Sequence, residues 1–190
     1  MNKIAYEVQY KRINSGMCSK VIWITGLSGA GKSTLARQVV SRLGSVGESV
    51  VMLDGDDLRE VFGATDTIAQ NHGRDGRLAL AMQYARLCQM LANQGLTVVI
   101  STISLFSEVH AWNRANLPGY FEVYLKVPVD ELRRRDPKGI YRRFDAGELN
   151  NVAGLDLPID EPKKANWVVE FELGKDASSV AEELLLHLNK

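Results

Sequence analysis

An α/β fold, with a parallel sheet covered by helices on both faces, is what this sequence predicts, and three observations carry it. Short apolar runs alternate along the chain with segments of helical spacing, the pattern of crossover-connected strands. The first run, Val21-Ile22-Trp23-Ile24-Thr25, passes directly into Gly26-Leu27-Ser28-Gly29-Ala30-Gly31-Lys32-Ser33-Thr34, a glycine loop that opens a helix. Candidate residues Gly26, Asp54, Ser101 and Arg135 fall toward the carboxyl ends of these runs. Ligands of open parallel sheets bind there.

The elements follow in order. Leu35, Val39, Val40 and Leu43 have helical spacing, so residues 33–43 read as a helix, broken at Gly44-Ser45-Val46-Gly47. Residues 49–53 read as a second fully buried strand, ending at Asp54-Gly55-Asp56-Asp57, with a short helix carrying Leu58, Arg59, Val61 and Phe62. Residues 63–75 are polar and read as a mobile loop. A long amphipathic helix over 77–93 points Leu78, Met82, Leu87, Met90 and Leu91 at the core and stops at Gly95. A third strand covers 96–101, a helix 107–115, a fourth strand 120–125, and a helix from 130 is cut short by Asp136-Pro137. An arginine- and glycine-bearing segment then runs to Pro162, before a strand over 167–171 and a last helix over 176–188.

Composition narrows the function classes. Lys plus Arg and Asp plus Glu each number 23, so no charge excess favours nucleic acid or an anionic membrane as partner. No stretch has the length of a membrane span, and the first residues lack the apolar segment of a secretory signal. The two cysteines, Cys18 and Cys88, show no metal-type spacing and read as reduced thiols of a cytoplasmic protein. The 190 residues divide into an extension, 1–19, and a single domain, 20–190. A homodimer is compatible with this reading.

The glycine loop is a phosphate-binding P-loop. Its glycines let backbone N–H groups turn around an anion, Lys32 reaches the β/γ-phosphates, and the Ser33 hydroxyl is placed for Mg²⁺. The residues expected to hold ATP are therefore Gly26, Ser28, Gly29, Ala30, Gly31, Lys32, Ser33 and Thr34, with Arg135. Asp54 and Asp56 supply paired carboxylates for phosphoryl transfer to a hydroxyl, where one must accept a proton or organise Mg²⁺. The bland alternative is that Asp54 ends the strand and Asp56 caps the next helix. Arg59, Arg74 and Arg77 are candidates for an anionic substrate. The cationic run Arg133 to Arg143, broken by Pro137 and Gly139, reads as a lid. His72, His110 and His187 do not read as catalytic, though His110 lies near the expected site.

On these residues the chain resembles the adenylyl-sulfate kinases. The resemblance runs from about Ile22 to Val168, through the P-loop, Leu53-Asp54-Gly55-Asp56-Asp57-Leu58-Arg59, Ile103-Ser104, Arg135-Asp136-Pro137-Lys138-Gly139-Ile140-Tyr141, Ala146-Gly147-Glu148 and Gly154-Leu155-Asp156. It implies a P-loop kinase-type sheet with a short lid, and ATP- and Mg²⁺-dependent phosphorylation of the ribose 3′-hydroxyl of adenylyl sulfate. By resemblance Asp56 is the base or metal-organising carboxylate and Asp54 its partner. Arg59 and Arg74 contact the substrate, Ser104 lines its pocket, and Lys138 and Arg142 belong to the lid. The departures gather in the acceptor half: Asp57 for Asn, Ile103-Ser104-Leu105-Phe106 for Ile-Ser-Pro-Tyr, and Asn151-Val152-Ala153-Gly154 for Gly-Phe-Thr-Gly. The stretch from Ser101 to Glu108 is also similar to a branch acting on cytidine diphosphoramidate. A P-loop nucleotide switch is the alternative of another class, but no Asn-Lys-x-Asp segment is found.

Overall fold

The computed structural model describes residues 19–63 and 73–188. Strands β1 (Val21–Thr25), β2 (Val50–Asp54), β3 (Thr97–Thr102), β4 (Phe121–Lys126) and β5 (Trp167–Glu170) form a sheet of order β2-β3-β1-β4-β5. All its pairings are parallel, so every connection must cross over. Helix α1 (Lys32–Ser45) follows β1, and α2 (Gly55–Val61) with α3 (Arg74–Ala92) follows β2. Helix α4 (Ser107–Asn116) follows β3, α5 (Val129–Arg135) and α6 (Ile140–Asp145) follow β4, and α7 (Ala177–Leu188) ends the fold.

Central β1 is buried along its whole length, and its alternating side chains serve two cores. Ile22 and Ile24 pack with Leu35, Val39 and Leu184 on one face; Val21 and Trp23 pack with Ala85, Cys88 and Val109 on the other. Strand β2, expected to be fully buried, is half-buried throughout because it is the sheet's edge. Strand β5 forms the opposite edge and alternates half-buried with exposed.

The long helix is corrected at both its start and its face. It begins at Arg74, three residues before the expected start, and its deep face is Ala81, Tyr84, Ala85, Cys88 and Ala92. Small residues there let the helix approach the sheet closely. Leu78, Met82, Leu87 and Leu91 flank that core, whereas Met90 is 52% exposed. Trp167 is half-buried, with its ring 4.9 Å from that of His187. The extension up to residue 18, with Cys18, and most of the 63–75 loop, with His72, lie outside the described residues. Among the described residues no helix is long and apolar enough to cross a membrane.

Candidate active site

The P-loop leaves the sheet at its centre, where β1 lies between β3 and β4. Gly26 must be glycine: a Cβ there would lie 2.7 Å from the carbonyl oxygen of Leu125 on β4. Gly31 ends the loop in the left-handed conformation as the N-cap of α1, and no side chain caps that helix. Its first-turn N–H groups, at the positive end of the helix dipole, suit an anion. Lys32 Nζ donates to Leu27 O at 2.8 Å. Burial pushes the ammonium down to about 8; Asp56 and Asp54 act to raise it and Lys138 to lower it.

The two carboxylates have separate roles. Asp54, at the end of β2, is the N-cap of α2: its Oδ1 accepts from the N–H of Asp56 at 3.0 Å. Its Oδ2 accepts from the Ser101 hydroxyl at 2.9 Å. Burial acts to raise its pKa, but hydrogen bonds from Ser33, Asp56 and Ser101 prevail and hold it below the usual carboxylate range. Asp54 thus ties the P-loop serine to β2 and β3. Asp56, two residues on, caps nothing and projects its carboxylate to Lys138 of the lid and, at 3.8 Å, to Arg59.

A cleft of about 660 Å³ gathers most of the predicted set: Ser28, Gly29, Gly31, Lys32, Ser33, Thr34, Asp54, Asp56, Arg59, Arg77, Arg135, Lys138 and Val152 all line it. Arg59, Arg77, Thr102, Ile103 and Ala153 also line a second cavity of about 270 Å³, so the two are contiguous through a cationic waist. Ser104 lines that second cavity. A third pocket of about 200 Å³ includes Ala30, Thr34, Arg135 and Phe171. There Arg135 stacks over Phe171 at 5.0 Å and donates to Glu131 at 2.7 Å.

The adenylylsulphate kinase family profile matches residues 18–170. The chain belongs to that family. It is 36% identical to the cytidine diphosphoramidate kinase of Campylobacter jejuni, over 75% of this chain and 81% of that one. It is 33% identical to the adenylyl-sulfate kinase of Pseudomonas aeruginosa, over 88% of this chain and 84% of that one. The structure of the Mycobacterium tuberculosis APS kinase in complex with AMPPNP and APS superposes with a TM-score of 0.81, at 31% identity, over 92% of this chain and 99% of that one. The protein is a P-loop kinase of the adenylylsulphate kinase family.

One residue assigned by resemblance stands elsewhere than expected. Arg74 is outside the cleft lining: it bonds both oxygens of Glu108, at 2.8 and 3.0 Å, and packs over Phe106 at 5.5 Å. Arg142 lies in the first turn of the lid helix with its N–H on the Asp136 carboxylate at 3.0 Å, while the neighbouring Arg143 lines the cleft. His110 is not at the site either. It lies 2.5 Å from the buried Glu122, which also accepts from Arg114 and Tyr120, in a network fastening α4 to β4.

Lid α6 is anchored by residues whose roles sequence reasoning missed. Tyr141 donates its hydroxyl to Ser28 O of the P-loop at 2.9 Å. Asp136, with a positive φ of 24°, caps α6 through its carboxylate. Asn151, beyond the lid, has a φ of 56° and offers its carbonyl to Arg77 at 2.8 Å. With Ser104 these are the non-glycine residues in the left-handed region among the described residues; Ser104 lines the second cavity, and Asp136 and Asn151 are chain neighbours of the cleft-lining Pro137, Asn150 and Val152. Strain of this kind persists where surrounding contacts over-determine it. Phe171, a partner for Arg135, had shown in the sequence only as the end of a strand.

Proposed function

We propose that the protein transfers a phosphoryl group from ATP, with Mg²⁺, to the ribose 3′-hydroxyl of a nucleotide conjugate. The observation that carries this reading is the convergence of the uncapped α1 terminus, Lys32 and Asp56 in one cleft that continues between Arg59 and Arg77. When bound, ATP would supply the phosphoryl group and Mg²⁺ would neutralise its oxygens. The Ser33 hydroxyl and the Asp56 carboxylate are the metal's protein ligands in this reading. Among the described residues no cage of three or more His, Cys, Asp or Glu occurs. Few protein ligands suit an ion that keeps waters and phosphate oxygens. Asp56 takes the acceptor's proton, Lys32 bears on the developing phosphoryl charge, Arg59 and Arg77 hold the anionic linkage, and the lid excludes water. A coupled ATP-consumption assay across nucleotide conjugates tests this. Strict dependence on an acceptor supports it, whereas equal phosphate release without one would favour a nucleotide switch.

Two acceptors are in view, adenylyl sulfate and a cytidine conjugate of the diphosphoramidate kind, and the cleft wall favours the second. Val152, buried with its N–H held by Asp156 at 2.6 Å, stands where the resemblance calls for a phenylalanine. One aromatic platform under a base is worth roughly 1–3 kcal/mol, so its loss weakens adenine binding ~5- to 100-fold. Wild type should therefore use adenylyl sulfate measurably but poorly. Val152→Phe should lower the KM for adenylyl sulfate ~5-fold or more and leave a cytidine conjugate, with its smaller ring, unimproved. Steady-state kinetics of both proteins on both acceptors decides it; efficient wild-type use of adenylyl sulfate, harmed by Val152→Phe, overturns the preference.

The ammonium of Lys32 gives a pH signature. With a pKa of about 8 it is partly neutral in mildly alkaline buffer, and a bound triphosphate favours its charged form. Nucleotide binding at pH 8 should take up about half a proton and weaken as pH rises further. Calorimetry in buffers of different ionisation enthalpy measures the uptake, which should disappear in Lys32→Ala.

A further inference from the structure

We propose that the cavity behind Arg59 and Arg77 is a subsite for an uncharged substituent on the far end of the acceptor. The acceptor is then a nucleoside 5′-conjugate with an anionic linkage and a compact, apolar terminal group. This rests on the acceptor reading above and extends it. The reacting hydroxyl must lie in the P-loop cleft beside Asp56, which keeps the ribose on that side. The anionic linkage belongs at the waist, where Arg59 and Arg77 line both cavities. Whatever enters the second cavity is attached beyond that linkage, and it is neither the ribose nor the base.

The walls of the cavity define what it accepts. Past the waist they include Phe62, Leu80, Tyr84, Phe106, Pro158 and Ile159, and among the described residues no charged side chain joins them. Gln83 adds one neutral amide to the lining, and the hydroxyls are committed elsewhere. Tyr84 donates its hydroxyl to Gly55 O at 3.3 Å, and the Ser104 and Thr102 hydroxyls share a hydrogen bond of 2.8 Å. Burial also pushes the Tyr84 phenol up to about 12, so that wall stays neutral. Arg74, which packs over the lining residue Phe106 from outside, is engaged by Glu108 and Asp160. A second charged group placed here would be desolvated with no countercharge past the waist among the described residues, which is costly. An alkyl group would gain about 0.8 kcal/mol per buried methylene, a factor of about four.

The test uses the full chain with cytidine 5′-diphosphoramidate and its N-methyl, N-ethyl and N-propyl derivatives. KM and the calorimetric dissociation constant should fall about fourfold per methylene until the cavity is filled. The kcat should hold, because the substituent is remote from the reacting hydroxyl. Leu80→Trp, which fills the cavity, should flatten the series. A KM that rises from N-methyl onward, with the parent conjugate still turned over, overturns this inference alone. Leu80→Trp raising KM equally for every member would place the base in the cavity and overturn it too. No turnover of the parent conjugate would remove the cytidine reading and this extension with it.

Discussion

Replacing Lys32 by alanine should lower turnover by at least ~10²–10³-fold, the loss typical of removing one electrostatic stabiliser of the transition state. The side chain begins the first turn of α1 and donates to Leu27 O at 2.8 Å, inside the phosphate loop. Its truncation should not harm the fold. Burial lowers its pKa from 10.5 to about 8, so the folded protein carries the ammonium at a cost rather than a gain. The sign follows from linkage: that cost is fully present below about pH 8 and disappears as pH rises toward 10.5. At pH 7 Lys32→Ala should therefore melt at the same temperature as wild type or higher, with native circular dichroism. Raising the pH past 8 should shift the comparison in favour of wild type. Near-normal turnover in the variant would sink the assignment of Lys32 to the reacting phosphoryl group.

The parts of this site that could be read from the chain are those that a few consecutive residues encode. The P-loop and Asp54-Gly55-Asp56 each occupy one strand end, and a parallel sheet brings strand ends together. Contacts between distant residues were not visible. Lys138 meets Asp56, and Arg77 meets the carbonyl of Asn151, only through folding. Arg74 looked available for substrate because Glu108 and Asp160, which engage it, come from α4 and a later loop. The same limit applies to the fold. Residues of β1 and β2 form similar apolar runs, yet β1 is central and β2 an edge, since strand order depends on how crossovers wind. On α3, hydrophobicity pointed to leucines and methionines, but close approach to the sheet gave the deep positions to Ala81, Ala85 and Ala92. Helix α6 was hidden in a run of arginines because its cap, Asp136, belongs to a strained turn rather than to a hydrophobic pattern.

Asp56→Asn should reduce turnover ~10²- to 10⁴-fold, the usual contribution of a positioned acid or base, while nucleotide binding persists. The substitution keeps the side chain's shape and removes the charge that the proposal requires for taking a proton or holding Mg²⁺. The structure removes the rival explanation: the N-cap of α2 is Asp54, so Asp56 is free of the capping role in which asparagine would serve equally well. Stability should change little. The ion pair lost joins side chains that are each 52% exposed, and pairs of that kind are worth about 0–1 kcal/mol. The converse variant, Asp54→Asn, should behave differently. Asparagine can still cap α2, but its amide cannot reproduce the carboxylate that accepts from Ser101 while also taking the Ser33 hydroxyl. Activity should fall there through a displaced Ser33, with half-saturation shifted to higher Mg²⁺ concentration as the readout of a disturbed metal ligand. For Asp56→Asn, single-turnover phosphoryl transfer separates chemistry from product release. A chemical step within tenfold of wild type would show that this carboxylate is not the group that receives the proton.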